Sequence, residues 1–306
     1  FETGIETMFF NNRLSFDLTY YNGVMDHLYM EGHDASGIQP FTSAKVRNQG
    51  IETTIGYNFR LAKDVNWKTS YNVSYNSNKI LKTAYNDQGK ELIQQQVVGG
   101  TYVRYKEGGS IGDMYIHDFE RDANGNIALT KSGAPRFKSS GQDADLIYVG
   151  NMNSKWQMGW SNNFNYKDFT LSFLINGRIG GKVISLTEAY LDQNGLSQRV
   201  ADARLNAERN NIVATDYKNA PGMQLNDGSG RIVPVEAYYK AMGASTNPYN
   251  YIYNATNFRL RELSLGYTFR NLLGQNKNLN VAFIARNLFF LYNDSPVDPD
   301  VSLSTA

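Results

Sequence analysis

Residues 67–78 read WKTSYNVSYNSN, and two faces separate along them. Trp67, Thr69, Tyr71, Val73, Tyr75 and Ser77 fall on one side. Lys68, Ser70, Asn72, Ser74, Asn76 and Asn78 fall on the other. A period of two over this length specifies an extended strand with one apolar and one wet face. The apolar face is Trp, Tyr, Val and Tyr rather than the Leu and Ile of a packed core. Such rings carry a polar tip, as residues near a membrane interface do. The amide-rich face suits a water-filled lumen. One strand of this kind also fits a soluble sandwich, so the fold turns on whether the pattern recurs.

It recurs on both sides of the stretch. Thr3, Ile5, Thr7 and Phe9 alternate with Gly4, Glu6 and Met8, and Asn11-Asn12 is a tight-turn signal. The return strand places Leu14, Phe16, Leu18 and Tyr20 opposite Arg13, Ser15, Asp17, Thr19 and Tyr21. Residues 23–44 lose the period and predict a long loop. Ile51, Thr53, Ile55, Tyr57 and Phe59 restore it, and Leu61–Val65 connects them to the opening stretch. Downstream, Trp156, Met158, Trp160, Phe164 and Tyr166 share a phase interrupted by Asn162. Lys167-Asp168 then turns the chain into Phe169, Leu171, Phe173 and Ile175. The last hairpin sets Leu263, Leu265, Tyr267 and Phe269 against Glu262, Ser264, Gly266 and Thr268, and returns through 272–278 into residues 279–292. Before Glu262 the phase mixes and puts Arg259 and Arg261 on the apolar side, which requires them to stand above a hydrocarbon layer.

Two insertions break the pattern. Residues 80–152 are rich in turn chemistry, with Gly99-Gly100, Gly108-Gly109 and Asp122–Asn126. Residues 177–255 contain helical spacing from Val183 to Gln193, a stop at Asn194-Gly195, and Ser197 placed to cap a second helix reaching Arg209. The count is eight strands in four hairpins, with short turns on one side and long connections on the other. That asymmetry belongs to outer-membrane barrels.

Composition agrees. The 306 residues include 21 Tyr, 16 Phe and seven Pro, with 41% hydrophobic and 19% charged residues, which is room for one large β domain. A formal net charge of +1 gives no global attraction for nucleic acid or anionic lipid. The absence of cysteine excludes disulfides and thiolate metal sites. No apolar run is long enough for a transmembrane helix, and a mean hydropathy of −0.48 does not argue against a barrel, whose strands alternate. FETGIETMFF lacks the basic start of a signal peptide and reads as the middle of a strand, so the chain is expected to be a piece of something longer.

Five passages carry a family resemblance. They are RLSFDLTYYN (13–22), NQGIETTIGYNF (48–59), YVGNMNSKWQMGWSNNFNYKDFTLSF (148–173), YNATNFRLRELSLGYTF (253–269) and ARNLFFLYNDSPVDPDVS (285–302). Together they resemble the C-terminal half of the barrel of SusC/RagA-type TonB-dependent outer-membrane transporters of Bacteroidota. The Arg-Leu-Arg-Glu-Leu-Ser-Leu strand is the most specific of them. Ser154 departs from the family's usual Pro, and Asp300 from its usual Glu. The resemblance implies an all-β fold: about eight strands of an antiparallel transmembrane barrel of roughly 22, with a plugged lumen. On that count residues 1–306 are one barrel domain, holding about the fourteenth to twenty-first strands, with signal, plug, earlier strands and final strand outside it. It further implies long extracellular loops, one containing short helices. Implied partners are a SusD-like surface lipoprotein, the TonB complex through absent N-terminal parts, outer-membrane lipid, and a dimer of transporter–lipoprotein pairs. The implied activity is uptake of oligosaccharides or oligopeptides.

Residue by residue, Trp67, Tyr71, Tyr75, Phe173, Leu263, Leu265 and Tyr267 are expected to face lipid, and Glu52, Asn72, Asn76 and Asn163 the lumen. Tyr102, Tyr105, Tyr115, Tyr238, Tyr239 and Tyr249, with Tyr148 and Tyr251, lie in or beside the predicted external insertions. Such rings stack on sugar faces and peptide side chains, although packing between loops is the commoner use of any one of them. His27, His33 and His117 are scattered and form no metal pair. Asp122–Asn126 lacks the terminal Glu of a calcium loop and reads as a turn. Asp294, Asp298 and Asp300 are candidates for a cation site, with an ordinary acidic loop the favoured reading. Neither Asp143 with Asp145 nor any other carboxylate pair has a site around it. No nucleophile elbow, phosphate loop or dinucleotide fingerprint occurs, so neither enzymatic activity nor a cofactor is expected. The rival reading is a soluble or surface β adhesin or lectin-like protein.

Overall fold

The computed structural model describes residues 1–34, 37–139, 143–244, 247–272 and 274–300. Eight antiparallel strands form one continuous sheet: β1 (Glu2–Phe9), β2 (Leu14–Asp34), β3 (Gly37–Ala62), β4 (Val65–Lys82), β5 (Trp156–Tyr166), β6 (Phe169–Ile179), β7 (Asn257–Phe269) and β8 (Leu279–Asn293). Each lies beside its chain neighbour. Among the described residues β1 and β8 do not pair with each other, so the sheet is open.

The register shows why the alternation was so regular. Tyr20, Ile51, Tyr75 and Trp156 stand in one cross-strand row, and Phe16, Ile55, Tyr71, Trp160 and Ile175 in another. Phe59, Trp67, Phe164, Leu171, Leu265 and Phe283 make a third. All lie on one side of the sheet. Among the described residues nothing packs over them: Trp160, Leu265 and Phe283 are 40%, 53% and 70% exposed. Near the tight turns the rings touch one another. Trp67 stacks on Phe59 at 4.6 Å and on Phe164 at 5.2 Å. Tyr75 meets Trp156 at 4.7 Å toward the insertions. The eight steps from Trp67 to Tyr75 separate these two bands by about 26 Å along the strand, about 20 Å of height at the usual barrel tilt. That compares with an apolar band of about 25 Å in outer-membrane barrels.

Asn162 lies on this ring-bearing side yet is 1% exposed. It sits opposite Thr69 and Phe173, and its Oδ1 accepts the Trp67 indole N–H at 3.0 Å. The interruption in the sequence pattern is therefore an amide held beneath aromatic rings.

Two expectations need correction. Residues 23–34 and 37–44 are not an irregular loop. They extend β2 and β3 to 21 and 26 residues. Bulges between Met25 and Leu28 and between Leu28 and Met30 reset the phase, and His27 takes a left-handed φ of 60°. A bulge inserts an unpaired residue, so a continuous strand reads as lost periodicity. Likewise, the bulge at Arg261 sets Leu260 opposite Ile175 and Arg259 opposite Asn176. Leu260 thus joins the ring-bearing side, and Arg259 the amide side.

Met30, Ala44, Val46 and Ile80 are buried at the insertion end of β2–β4, and the three buried apolar clusters lie outside the sheet. Between β4 and β5 the first insertion builds a four-stranded sheet from Gln94–Val98, Thr101–Tyr105, Asp113–His117 and Leu146–Asn151. The second insertion, between β6 and β7, carries α1 (Leu186–Gln193), α2 (Gln198–Arg209) and α3 (Val235–Met242). Ser185 Oγ caps α1 by accepting from Glu188 N, and Ser197 Oγ caps α2 by accepting from Val200 N. The first helix therefore starts at Leu186, later than the spacing predicted, because Lys182–Ile184 pairs as a strand with Ile252–Asn254. Phe119 and Ile127 of the first insertion pack with Ala189, Leu225, Val233, Met242 and Tyr251 of the second. The two insertions are one body, a cap with a shared core.

Candidate functional site

Three places gather functional side chains, and each is positioned by a different element. The first is the amide-bearing side of the wall. Glu52 sits opposite Ser74, Asn72 opposite Thr54 and Gly159, and Asn163 opposite Lys68 and Ser172. Glu52, Thr54, Asn72, Ser74, Gln157 and Asn176 line a groove of about 410 Å³. Asn163 donates to Ser172 Oγ at 2.7 Å. Asn76 donates to the Tyr21 hydroxyl at 2.7 Å across Gly50, whose missing Cβ leaves the room that hydroxyl occupies. This explains the Asn-x-Gly pattern at 48–50. All four residues expected to face a lumen share this side, and all seven expected to face lipid share the other.

The second place is the rim where β6, β7 and the segment after β8 meet. Arg178 and Arg259 project from the amide side, with Arg261 at the bulge. Asp298 pairs with Arg259, and Asp300 lies 3.1 Å from Arg178, 3.4 Å from Arg259 and 2.6 Å from Arg261. Burial raises the Asp298 carboxyl, but the bonds from Arg259 and the Asp300 N–H outweigh it and hold it below its usual range. Asp298 and Asp300 are thus committed to arginines rather than to a cation. The alternation of the arginine-rich strand declares only a phase, and nothing local in the sequence signals this cluster.

The third place is the outer sheet of the first insertion. Tyr102, Tyr115 and Tyr148 stand side by side across three of its strands. The Tyr115 and Tyr148 rings meet edge to face at 5.5 Å, and the Arg104 guanidinium lies 5.9 Å from the Tyr115 ring. The Tyr102 hydroxyl is 2.8 Å from His117 Nε2. Burial and the neighbouring Asp113 push the Tyr148 hydroxyl up from its ordinary value. A row of rings with one cation offers stacking and hydrogen bonding to a solute.

Of the other tyrosines, Tyr105, Tyr238, Tyr239 and Tyr251 pack within the cap. Tyr105 packs against the Val103, Met114 and Ile184 cluster. Tyr239 is 8% exposed within a second cluster, and Tyr238 packs beside it with its hydroxyl accepting from Asn250. Tyr251 is fully buried and donates to Asp192 at 2.9 Å, and burial followed by that bond drives its pKa far up. Tyr249 remains half-exposed, with its ring 4.7 Å from Phe119. Asp122 accepts from the N–H groups of Asn124 and Asn126, which makes that segment a turn. The side chains of His33 and Asp143 and residues 301–302 lie outside the described residues.

No family model matches the chain. It is 25% identical over 300 residues to the TonB-dependent receptor P39 of Formosa agariphila, covering 84% of this chain and 28% of that protein. To the TonB-dependent receptor P3 of the same organism it is 23% identical, over 98% of this chain and 30% of that one. To the TonB-dependent receptor SusC of Bacteroides thetaiotaomicron it is 22% identical, over 74% and 21%. The chain therefore spans less than a third of the length of these relatives. In fold it is similar to the solved RagAB peptide transporter, with a TM-score of 0.66 and 18% identity over 97% of this chain and 32% of that one. Sequence relatives and fold agree with the five passages and with the two-sided sheet. In sequence and in fold the chain is thus similar to the SusC/RagA-type TonB-dependent outer-membrane transporters, which are transporters rather than enzymes.

Proposed function

We propose that this chain supplies wall, rim and outer cap to a nutrient importer that takes up oligosaccharides or oligopeptides across the outer membrane, driven by the TonB complex. The observation that carries this reading is the uncovered ring-bearing side running through all eight strands, opposite a side of Asn, Ser, Thr and Glu. Rings on such a face are stable against lipid, and amides on the other are stable against water. Trp67, Tyr71, Tyr75, Phe173, Leu263, Leu265 and Tyr267 then meet lipid, and Glu52, Asn72, Asn76 and Asn163 line the passage. The free edges of β1 and β8 pair with further strands of a barrel of roughly 22. A soluble adhesin needs a second layer over the rings, and the buried clusters instead lie in the cap.

In this arrangement Tyr102 and Tyr115 contact the solute, and a SusD-like lipoprotein closes over the cap, in a dimer of such pairs. The fold relative RagAB is a peptide transporter and the sequence relative SusC is a TonB-dependent receptor, which supports import and leaves peptide and glycan as the two classes to separate. The test is growth of a deletion strain on peptide or on glycan as sole nutrient, with binding of both pools to the purified complex. A defect on one pool identifies the class. Normal growth on every nutrient defeats the importer reading, and a monodisperse full-length protein without detergent supports the adhesin.

A further inference from the structure

The ring-bearing side changes character beyond its upper band. Continuing from Ile51 and Tyr75, the next residues of the same phase are Gln49 and Ser77, then Arg47 and Lys79, with no bulge between. Arg47 and Lys79 are therefore direct cross-strand partners of like charge, an arrangement that costs stability unless an anion lies between them. Lys155, next to Trp156, lines the same cavity of about 340 Å³. Among the described residues none of these three cations has a carboxylate partner. The one acid lining the cavity is Asp113, and its oxygens already accept from Ser110 N at 2.7 Å and Asn151 Nδ2 at 2.8 Å. Three cations against one carboxylate leave two net positive charges in a small polar hollow.

Its height on the wall identifies the anion. The Arg47–Lys79 pair lies four residues beyond the Ile51–Tyr75 pair, about 13 Å along the strand. At the usual barrel tilt that is about 10 Å above the ring band. Rings of this kind sit at headgroup level, and long basic side chains bend back toward that level.

We propose that Arg47, Lys79 and Lys155 hold the phosphate of an outer-leaflet lipid headgroup, with Gln49 and Ser77 as neutral partners. This rests on the reading that the ring-bearing side faces lipid. Arg47, Gln49, Ser77 and Lys79 all share the phase of the rings, so the lipid is the source the geometry favours.

Native mass spectrometry of the full-length transporter in detergent tests the site, using monophosphoryl lipid A, its dephosphorylated form, and inorganic phosphate as competitor. Phosphorylated lipid should bind to wild type, and an Arg47→Gln/Lys79→Gln variant should bind it about thirtyfold more weakly. Both side chains are exposed, so the variant should keep the heat-modifiable gel mobility of wild type. Equal binding by variant and wild type, or equal binding of the dephosphorylated lipid, overturns the proposal. Full competition by inorganic phosphate assigns a free anion and overturns the lipid source. Loss of a co-purifying lipoprotein with lipid binding unchanged assigns the cations to a protein partner and also overturns it. A wild-type protein that needs no detergent defeats the barrel reading itself, which is a separable result.

Discussion

The Trp67 indole N–H is donated to Asn162 Oδ1 at 3.0 Å, joining β4 to β5 on the side that carries the rings. Asn162 is shielded from its surroundings by neighbouring rings, so the bond is made where no water competes. Asn162→Leu leaves the indole donor unpaired and should cost about 1–3 kcal/mol. The check is denaturant unfolding of the full-length protein in detergent. Unchanged stability would mean that the indole finds another acceptor.

Tyr115→Ala and Tyr239→Ala separate binding from packing. Tyr115 lies in the exposed row of rings, and its loss should lower solute capture about tenfold with assembly intact. Tyr239 is a core residue of the cap, and its truncation should cost about 3–5 kcal/mol. Ligand titration and thermal unfolding, run on both variants, read the two effects independently.

Asp227 clasps the two insertions together. It accepts from Ile127 N at 3.1 Å and from Arg231 at 2.8 Å, while Arg231 also donates to Ile127 O at 2.6 Å. Asp227→Ala should destabilise the cap by about 1–3 kcal/mol, because Ile127 N and the half-buried Arg231 lose their buried acceptor. Faster proteolysis within residues 119–139 is the expected sign, and unaltered cleavage would exclude the clasp.

Acid should release the clasp and the rim at low pH only. Burial raises the Asp227 carboxyl, but bonds from Ser229, Arg231 and Ile127 outweigh it and hold its folded pKa well below the ordinary 3.8. Asp298 is lowered in the same sense. A depressed carboxylate contributes stability that is fully present above the unfolded pKa and is lost as pH falls through the folded one. Hydrogen exchange at residues 127 and 298–300 should therefore stay slow down to about pH 4 and rise below it. A rise near pH 6 would point to a histidine instead.

Gly50→Val tests the wall's inner surface. A side chain there meets the Tyr21 hydroxyl and the Tyr75 carbonyl oxygen, so the bond from Asn76 to Tyr21 must break. Overpacking of this kind costs about 1–3 kcal/mol. Loss of heat-modifiable mobility at a lower temperature than wild type is the readout.

The eight strands and their two faces were legible in the sequence because a strand's side chains alternate with period two whatever lies around it. Trp67–Ser77, Leu14–Tyr20 and Leu263–Phe269 each declare a face locally, and Ser197 declares its helix by capping chemistry. Tertiary structure decided the rest. The bulges at Met25–Leu28 and Arg261 insert a residue without changing composition, so a continuing strand looked like a loop, and Arg259 was assigned to the wrong side. Whether a tyrosine is a platform or a core residue depends on what packs over it: Tyr115 and Tyr239 read alike in sequence. The shared core of Phe119, Ile127 and Tyr251 joins segments more than a hundred residues apart, and no local pattern encodes a contact at that distance.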